Sequence, residues 1–83
     1  MKKTKKASNK IAEIKISPLD HYGNYLFHYP NGDKVYYHND DFHRPDGPAI
    51  EFANGDKYWY INGKYVPCKT QEEFERFVKY MVF

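Results

Sequence analysis

The sequence predicts a small α+β domain, an antiparallel β-meander of about five to six short strands with one C-terminal helix packed on it. Three observations carry this. The tetrapeptide Asn-Gly-Asp-Lys occurs twice, at residues 31–34 and 54–57, and a third Asn-Gly follows at Asn62 and Gly63. Short aromatic and β-branched runs flank these turn signals, as strands of a meander should. After residue 69 the apolar spacing changes from alternation to a helical period.

The elements follow in order. Residues 1–10 carry five lysines and no acid, which predicts a flexible basic arm ahead of a single domain at 11–83. Residues 11–16 alternate weakly around Glu13 and Lys15 and read as an edge strand. Strands at 25–29 and 34–38 bracket the first Asn-Gly, and strands at 49–52 and 57–61 bracket the second. The third turns the chain into 64–66. Asn-Gly is the favoured pair for a tight hairpin turn, because both central residues need positive φ. At an offset of 23 residues Tyr29 matches Phe52, Tyr36 matches Trp59 and Tyr37 matches Tyr60. The repeat is therefore a hairpin unit, with its aromatics placed to stack across neighbouring strands.

Between the units, residues 39–48 hold two prolines and a glycine, which disfavour regular pairing, and Asp46-Gly47 suits a turn. The helix opens on Thr70-Gln71-Glu72-Glu73, a capping box in which the Thr70 hydroxyl accepts from the Glu73 N–H and Glu73 reaches back. Phe74, Phe77, Val78 and Met81 then form one apolar stripe that must dock on the sheet, since so short a helix is marginal alone. Lys79 suits the negative helix end.

Composition narrows the function classes. Aromatics make up 19% of the 83 residues, enough for a compact core without staples. The lone Cys68 excludes an intramolecular disulfide and fits a reducing compartment. No run approaches a membrane span and the start lacks the apolar middle of a secretory signal, so a cytoplasmic protein with no membrane contact is expected. The net charge of +2 divides into the lysine arm and a body with eight basic against eleven acidic side chains, a net −3. Such an arm can bind nucleic acid or simply solubilise the chain.

Chemistry-bearing residues are few. His43, Arg44 and Asp46 together could bind a phosphate or act as acid and base. No nucleophile or second base accompanies them, so no catalytic residue and no enzyme is expected. The structural alternative has Arg44 paired with Asp40, Asp41 or Asp46 and His43 capping the loop. His21, His28, His38, His43 and Cys68 match no zinc spacing, so neither metal nor cofactor is expected. Cys68 reads as half-buried packing rather than a reactive thiol. In the strand at 57–61 Tyr58 and Tyr60 share one face and Trp59 and Ile61 the other. A helix on one side then leaves Tyr rings exposed on the second, as a protein hot-spot surface or a base-stacking platform.

These residues also carry a resemblance. His43-Arg44-Pro45-Asp46-Gly47-Pro48-Ala49, Glu51, Asn54-Gly55 and Trp59-Tyr60-Ile61-Asn62-Gly63-Lys64 together resemble a divergent MORN-like repeat of the kind found in small bacteriophage proteins and in repeat proteins of large DNA viruses. The likeness spans about residues 29–83, with one full unit. It implies a β-hairpin scaffold in an interaction protein and no known activity. The expected function is a non-enzymatic protein-binding accessory factor, phage-encoded and inhibiting a host protein such as a defence component. The expected partner contacts are Tyr36, Asp40, Asp41, His43, Arg44, Tyr58 and Tyr60, with the acidic pair docking where phosphates would. The alternative is a single-stranded nucleic-acid binder using the lysine arm and the Tyr-rich sheet; homo-oligomerisation is compatible with either.

Overall fold

The computed structural model describes residues 13–81, and the expected basic arm lies outside them. Strands β1 (Lys15–Pro18), β2 (Asn24–His28), β3 (Lys34–His38), β4 (Asp41–Phe42), β5 (Ile50–Glu51), β6 (Lys57–Ile61) and β7 (Lys64–Val66) precede helix α1 (Gln71–Lys79). All pairings are antiparallel, in the order β1-β2-β3-β5-β6-β7, with β4 also on β3. The α+β meander with one C-terminal helix is the fold. Residues 11 and 12 of the edge strand expected at 11–16 lie outside the described residues; within them the strand begins at Lys15 and runs on to Pro18, with Ile16 and Pro18 opposite Phe27 and Tyr25.

The repeat is a repeat of register. In the first hairpin Phe27 faces Val35 and His28 faces Lys34; 23 residues on, Ile50 faces Tyr58 and Glu51 faces Lys57. The next turn repeats too, with Tyr37 opposite Phe42 and His38 opposite Asp41 echoed by Tyr60 opposite Tyr65 and Ile61 opposite Lys64. Thus β4 pairs despite the prolines beyond it.

Two of the Asn-Gly turns differ from the tight form. Tyr29 N donates to Asp33 O at 2.9 Å and Gly32 N to Tyr29 O at 3.0 Å; Phe52, Asp56 and Gly55 repeat this at 2.9 and 2.9 Å. Only the glycines take positive φ there, 101° at Gly32 and 99° at Gly55. This is a type I turn closed by a glycine bulge. Its cause is local: the Asn31 and Asn54 side chains accept from the N–H of Asp33 and Asp56 at 3.0 and 2.9 Å. Of the three Asn-Gly pairs only Asn62 (φ 49°) and Gly63 (φ 81°) form the two-residue turn.

Alternation along the strands divides the sheet into two faces. Trp59, Ile61 and Val66 share a face with Phe74 of α1 and form the buried cluster, flanked by Cys68, Val78 and Met81. The Thr70 hydroxyl accepts from Glu73 N at 3.2 Å, as a cap should, whereas Glu73 reaches back to the Lys69 N–H at 2.7 Å rather than to Thr70 itself. The stripe does not dock in full. Phe74 is 2% exposed and Phe77 45%, because the helix covers only the β6–β7 end and Phe77 overhangs it.

Candidate functional site

Between β4 and β5 the chain leaves the edge of β3 and returns to it. The Tyr36 backbone pins both ends: its carbonyl accepts from His43 N at 3.0 Å and its N–H donates to Ala49 O at 2.7 Å. The excursion holds the His-Arg-Pro-Asp-Gly-Pro motif. Arg44 organises it, with its guanidinium 4.0 Å from the centre of the Tyr36 ring. Its Nε donates to Asp46 at 3.2 Å, and Nη1 donates to Glu51 at 3.0 Å and to the Pro48 carbonyl at 3.2 Å. Of the expected acids only Asp46 pairs with it; Glu51 takes the place foreseen for Asp40 or Asp41, because β5 carries it under the guanidinium. Gly47 is needed for the same reason, since a Cβ there would stand 2.6 Å from the Arg44 Cζ.

His43 is built into the turn of the second unit. Its Nδ1 accepts from the Asn62 N–H at 2.9 Å, which requires that nitrogen unprotonated. Burial lowers its pKa below the ordinary value, His38 with its ring centre 5.6 Å away acts in the same direction, and Asp41 opposes both. Gln71 ties the helix to the loop: it accepts from Trp59 Nε1 at 2.8 Å and donates to the Pro45 carbonyl at 3.1 Å. Neither Gln71 nor Glu51 stands out as a loop partner in the sequence. A shallow cleft of about 420 Å³ lies beside the loop, lined by Asp20, Asn24, Tyr36, His43, Arg44 and Asp46 among others. Asn24 donates to Asp20 at 2.7 Å, and this bond above all holds the Asp20 carboxyl below its usual range.

The opposite face is different in kind. Strand positions that share it are Ile16, Pro18, Tyr25, Phe27, Val35, Tyr37, Phe42, Ile50, Tyr58, Tyr60 and Tyr65, and none is charged. Every charged or histidine side chain in the strands belongs to the helix-bearing face: Lys15, His28, Lys34, His38, Asp41, Glu51, Lys57 and Lys64. The aromatic rings form a continuous path across the strands. Phe27–Tyr37, Tyr37–Phe42, Phe42–Tyr60 and Tyr60–Tyr65 have ring centres 4.8, 5.3, 4.9 and 5.6 Å apart. Ile16, Tyr25, Tyr58 and Tyr65 remain exposed.

The seven expected contact residues therefore do not make one surface. Tyr36, His43, Arg44 and Asp41 lie on the helix-bearing side, Asp40 sits exposed in the β3–β4 turn, and Tyr58 and Tyr60 belong to the aromatic face. The missed members, Tyr25, Phe27, Tyr37, Phe42 and Tyr65, were accessible through the parity of charge along each strand. Cys68 packs against the core, and burial, with Glu73 adding to it, raises its thiol pKa above the ordinary value. Among the described residues no group of three or more His, Cys, Asp or Glu is placed to hold a metal, and no helix is long and apolar enough to cross a membrane. Comparison with protein-family models, curated proteins and solved structures finds no match to this chain.

Proposed function

We propose that the chain is a non-enzymatic protein-binding domain and that the uncharged aromatic face of the sheet is its contact surface. One observation carries the reading: a continuous ring-lined face without a single strand charge, beside a reverse face that takes all of them. Tyr and Trp dominate protein hot spots because they offer large contact area at small entropic cost, and charge depletion marks interface centres. Single-stranded nucleic acid requires basic groups alongside the stacking rings. Here the strand lysines stand on the other side, which favours a protein partner. The resemblance to phage repeat proteins supports a narrower form: a factor acting in the host cytoplasm that occupies the surface of a host protein, such as a defence component, and so inhibits it.

The motif loop serves as scaffold in this reading. Arg44 is neutralised by Asp46 and Glu51, and His43 commits one ring nitrogen to the Asn62 N–H. The test compares capture of a partner from host lysate by the wild type, by Tyr25→Glu/Tyr65→Glu, and by Asp40→Lys/Asp41→Lys. Loss of the partner with the first pair, and retention with the second and at high salt, is the expected outcome. A single-stranded oligonucleotide bound with steep salt dependence would overturn the reading in favour of nucleic acid.

A further inference from the structure

The internal repeat exposes a strand position that, among the described residues, is filled once and left open once. In the first unit the outer edge of Lys34 and Val35 is occupied by β5, with Glu51 opposite Lys34 and Ile50 opposite Val35. The equivalent edge 23 residues on is that of Lys57 and Tyr58. There β7 pairs only with Trp59, Tyr60 and Ile61 before the chain turns away at Pro67 into the helix. Exposure tracks occupancy: Val35 is 9% exposed and its counterpart Tyr58 38%.

The open edge has its hydrogen-bonding groups directed outward. Phe52 and Asp56 form a hydrogen-bonded pair, so the adjoining Glu51–Lys57 pair is a non-bonded one and the Lys57 N–H and C=O point away from β5. A second anchor repeats as well. In the first unit Asp33 Oδ1 accepts from the Ala53 N–H at 2.7 Å, just beyond β5, while its Oδ2 accepts from Asn31 at 3.1 Å. In the second unit Asp56 Oδ2 accepts from Asn54 at 3.3 Å, and among the described residues Oδ1 has no partner. A groove of about 490 Å³ runs along this edge, lined by Asp56, Lys57, Tyr58, Tyr65, Cys68 and Lys69 among others.

We infer that this edge binds an extended peptide segment of a partner protein by antiparallel strand addition. The molecule's own β5 states the chemistry of that segment. An apolar residue lies beside Tyr58 and the N–H three residues later donates to Asp56 Oδ1. The residue between, beside Lys57, takes the place of Glu51, whose carboxylate pairs with Arg44 in the first unit. With Pro67 standing where Arg44 would be, an acid there faces Lys57 alone. Main-chain hydrogen bonds give such an interaction its affinity and alternate side chains its specificity. The site is at the sheet edge, so it goes beyond the face-binding reading and does not depend on it.

The probe is a peptide copying residues 48–54 of this chain, titrated into isotope-labelled protein and followed by amide shifts and exchange. Saturable shifts centred on Asp56, Lys57 and Tyr58, with protection of the Lys57 amide, are expected. Replacing the peptide's acid by lysine should weaken binding about fivefold, the scale of one strong cross-strand ion pair. Lys57→Glu should do the same to the unaltered peptide and restore the lysine-bearing one. The peptide arm alone tests the charge pairing on intact protein if the variant folds poorly. Shifts centred on Lys34 and Val35 would mean displacement of β5 and overturn the inference. So would the absence of saturable binding, or an open edge already filled by a second copy of the chain.

Discussion

Phe74 and Phe77 sit one helical turn apart on the same predicted stripe, yet their surroundings differ. Phe74 fills the space between Trp59, Ile61 and Val66, so Phe74→Ala should cost about 3–5 kcal/mol. Phe77→Ala should cost about 1 kcal/mol or less, as befits a side chain nearly half exposed. Urea denaturation of the two variants checks the contrast; equal losses would show that the helix docks differently. Periodicity made the stripe legible but not its docked width, which depends on how much sheet lies beneath a nine-residue helix. His43 supplies a second residue-level test. Its folded pKa lies below the unfolded value of about 6.5. The neutral form is therefore favoured in the fold, and its contribution is fully present above about pH 6.5 and lost as pH falls through the folded pKa. Between pH 7.5 and 5.5 the wild type should lose more stability than His43→Asn, whose amide oxygen stands where Nδ1 does and can still accept from Asn62 N. Parallel pH profiles for the two would remove His43 from the linkage.

At the scale of elements, the motif loop and the turns show how neighbouring residues decide between forms that share a sequence signal. Asn-Gly pointed to the same two-residue turn three times. Where Asp comes next, its carboxylate accepts from the Asn amide while the Asn oxygen takes the Asp N–H, and the turn is one residue wider; where Lys64 comes next, no such carboxylate is present. That distinction needs the third residue as well as the pair. The strands themselves were readable because turn signals bound them on both sides. The pairing of β4 was not, because prolines close behind it concealed a two-residue ladder. In the loop, Gly47 is required by the Arg44 guanidinium rather than by backbone φ, so its replacement should couple to Arg44. Gly47→Ala should destabilise by about 1–3 kcal/mol in the wild type, within the range for overpacking. In an Arg44→Ala background the added methyl should be nearly neutral. A double-mutant cycle with additive losses would show that the contact carries no energy. Gly55→Ala is the control: no atom lies within 4 Å of its would-be Cβ, yet φ of 99° strains any side chain, and Arg44 should not change its cost.

Across the whole molecule, buried apolar volume is distributed unevenly along a sheet whose pairing passes from β5 to β7 within β6. Trp59, Ile61, Val66 and Phe74 form the one buried cluster among the described residues, and Cys68, Val78 and Met81 extend it. The first hairpin contributes only Val35 to the buried set, and every residue of β1 is exposed. The sequence showed a loop after the first unit and a docking helix after the second, but not which strands the helix would cover, because the two units look alike in their turns and aromatics. They differ in the segment that succeeds them: a loop returning to the sheet after the first unit, a helix that seals Trp59 after the second. Local opening free energies track such burial, so the domain should not exchange its amides as one unit. Native-state hydrogen exchange should find the slowest amides in β6, β7 and the middle of α1. Those of β2 and β3 should open at lower free energy, with β1 fastest. Adding Phe74→Ala should speed exchange in β6 and β7 by several orders of magnitude, up to about a thousandfold for a loss near 4 kcal/mol. It should speed β1 and β2 far less if they already open independently of the core. Uniform acceleration across all strands in that variant would mean that the ladder and the aromatic face couple both hairpins into one cooperative unit.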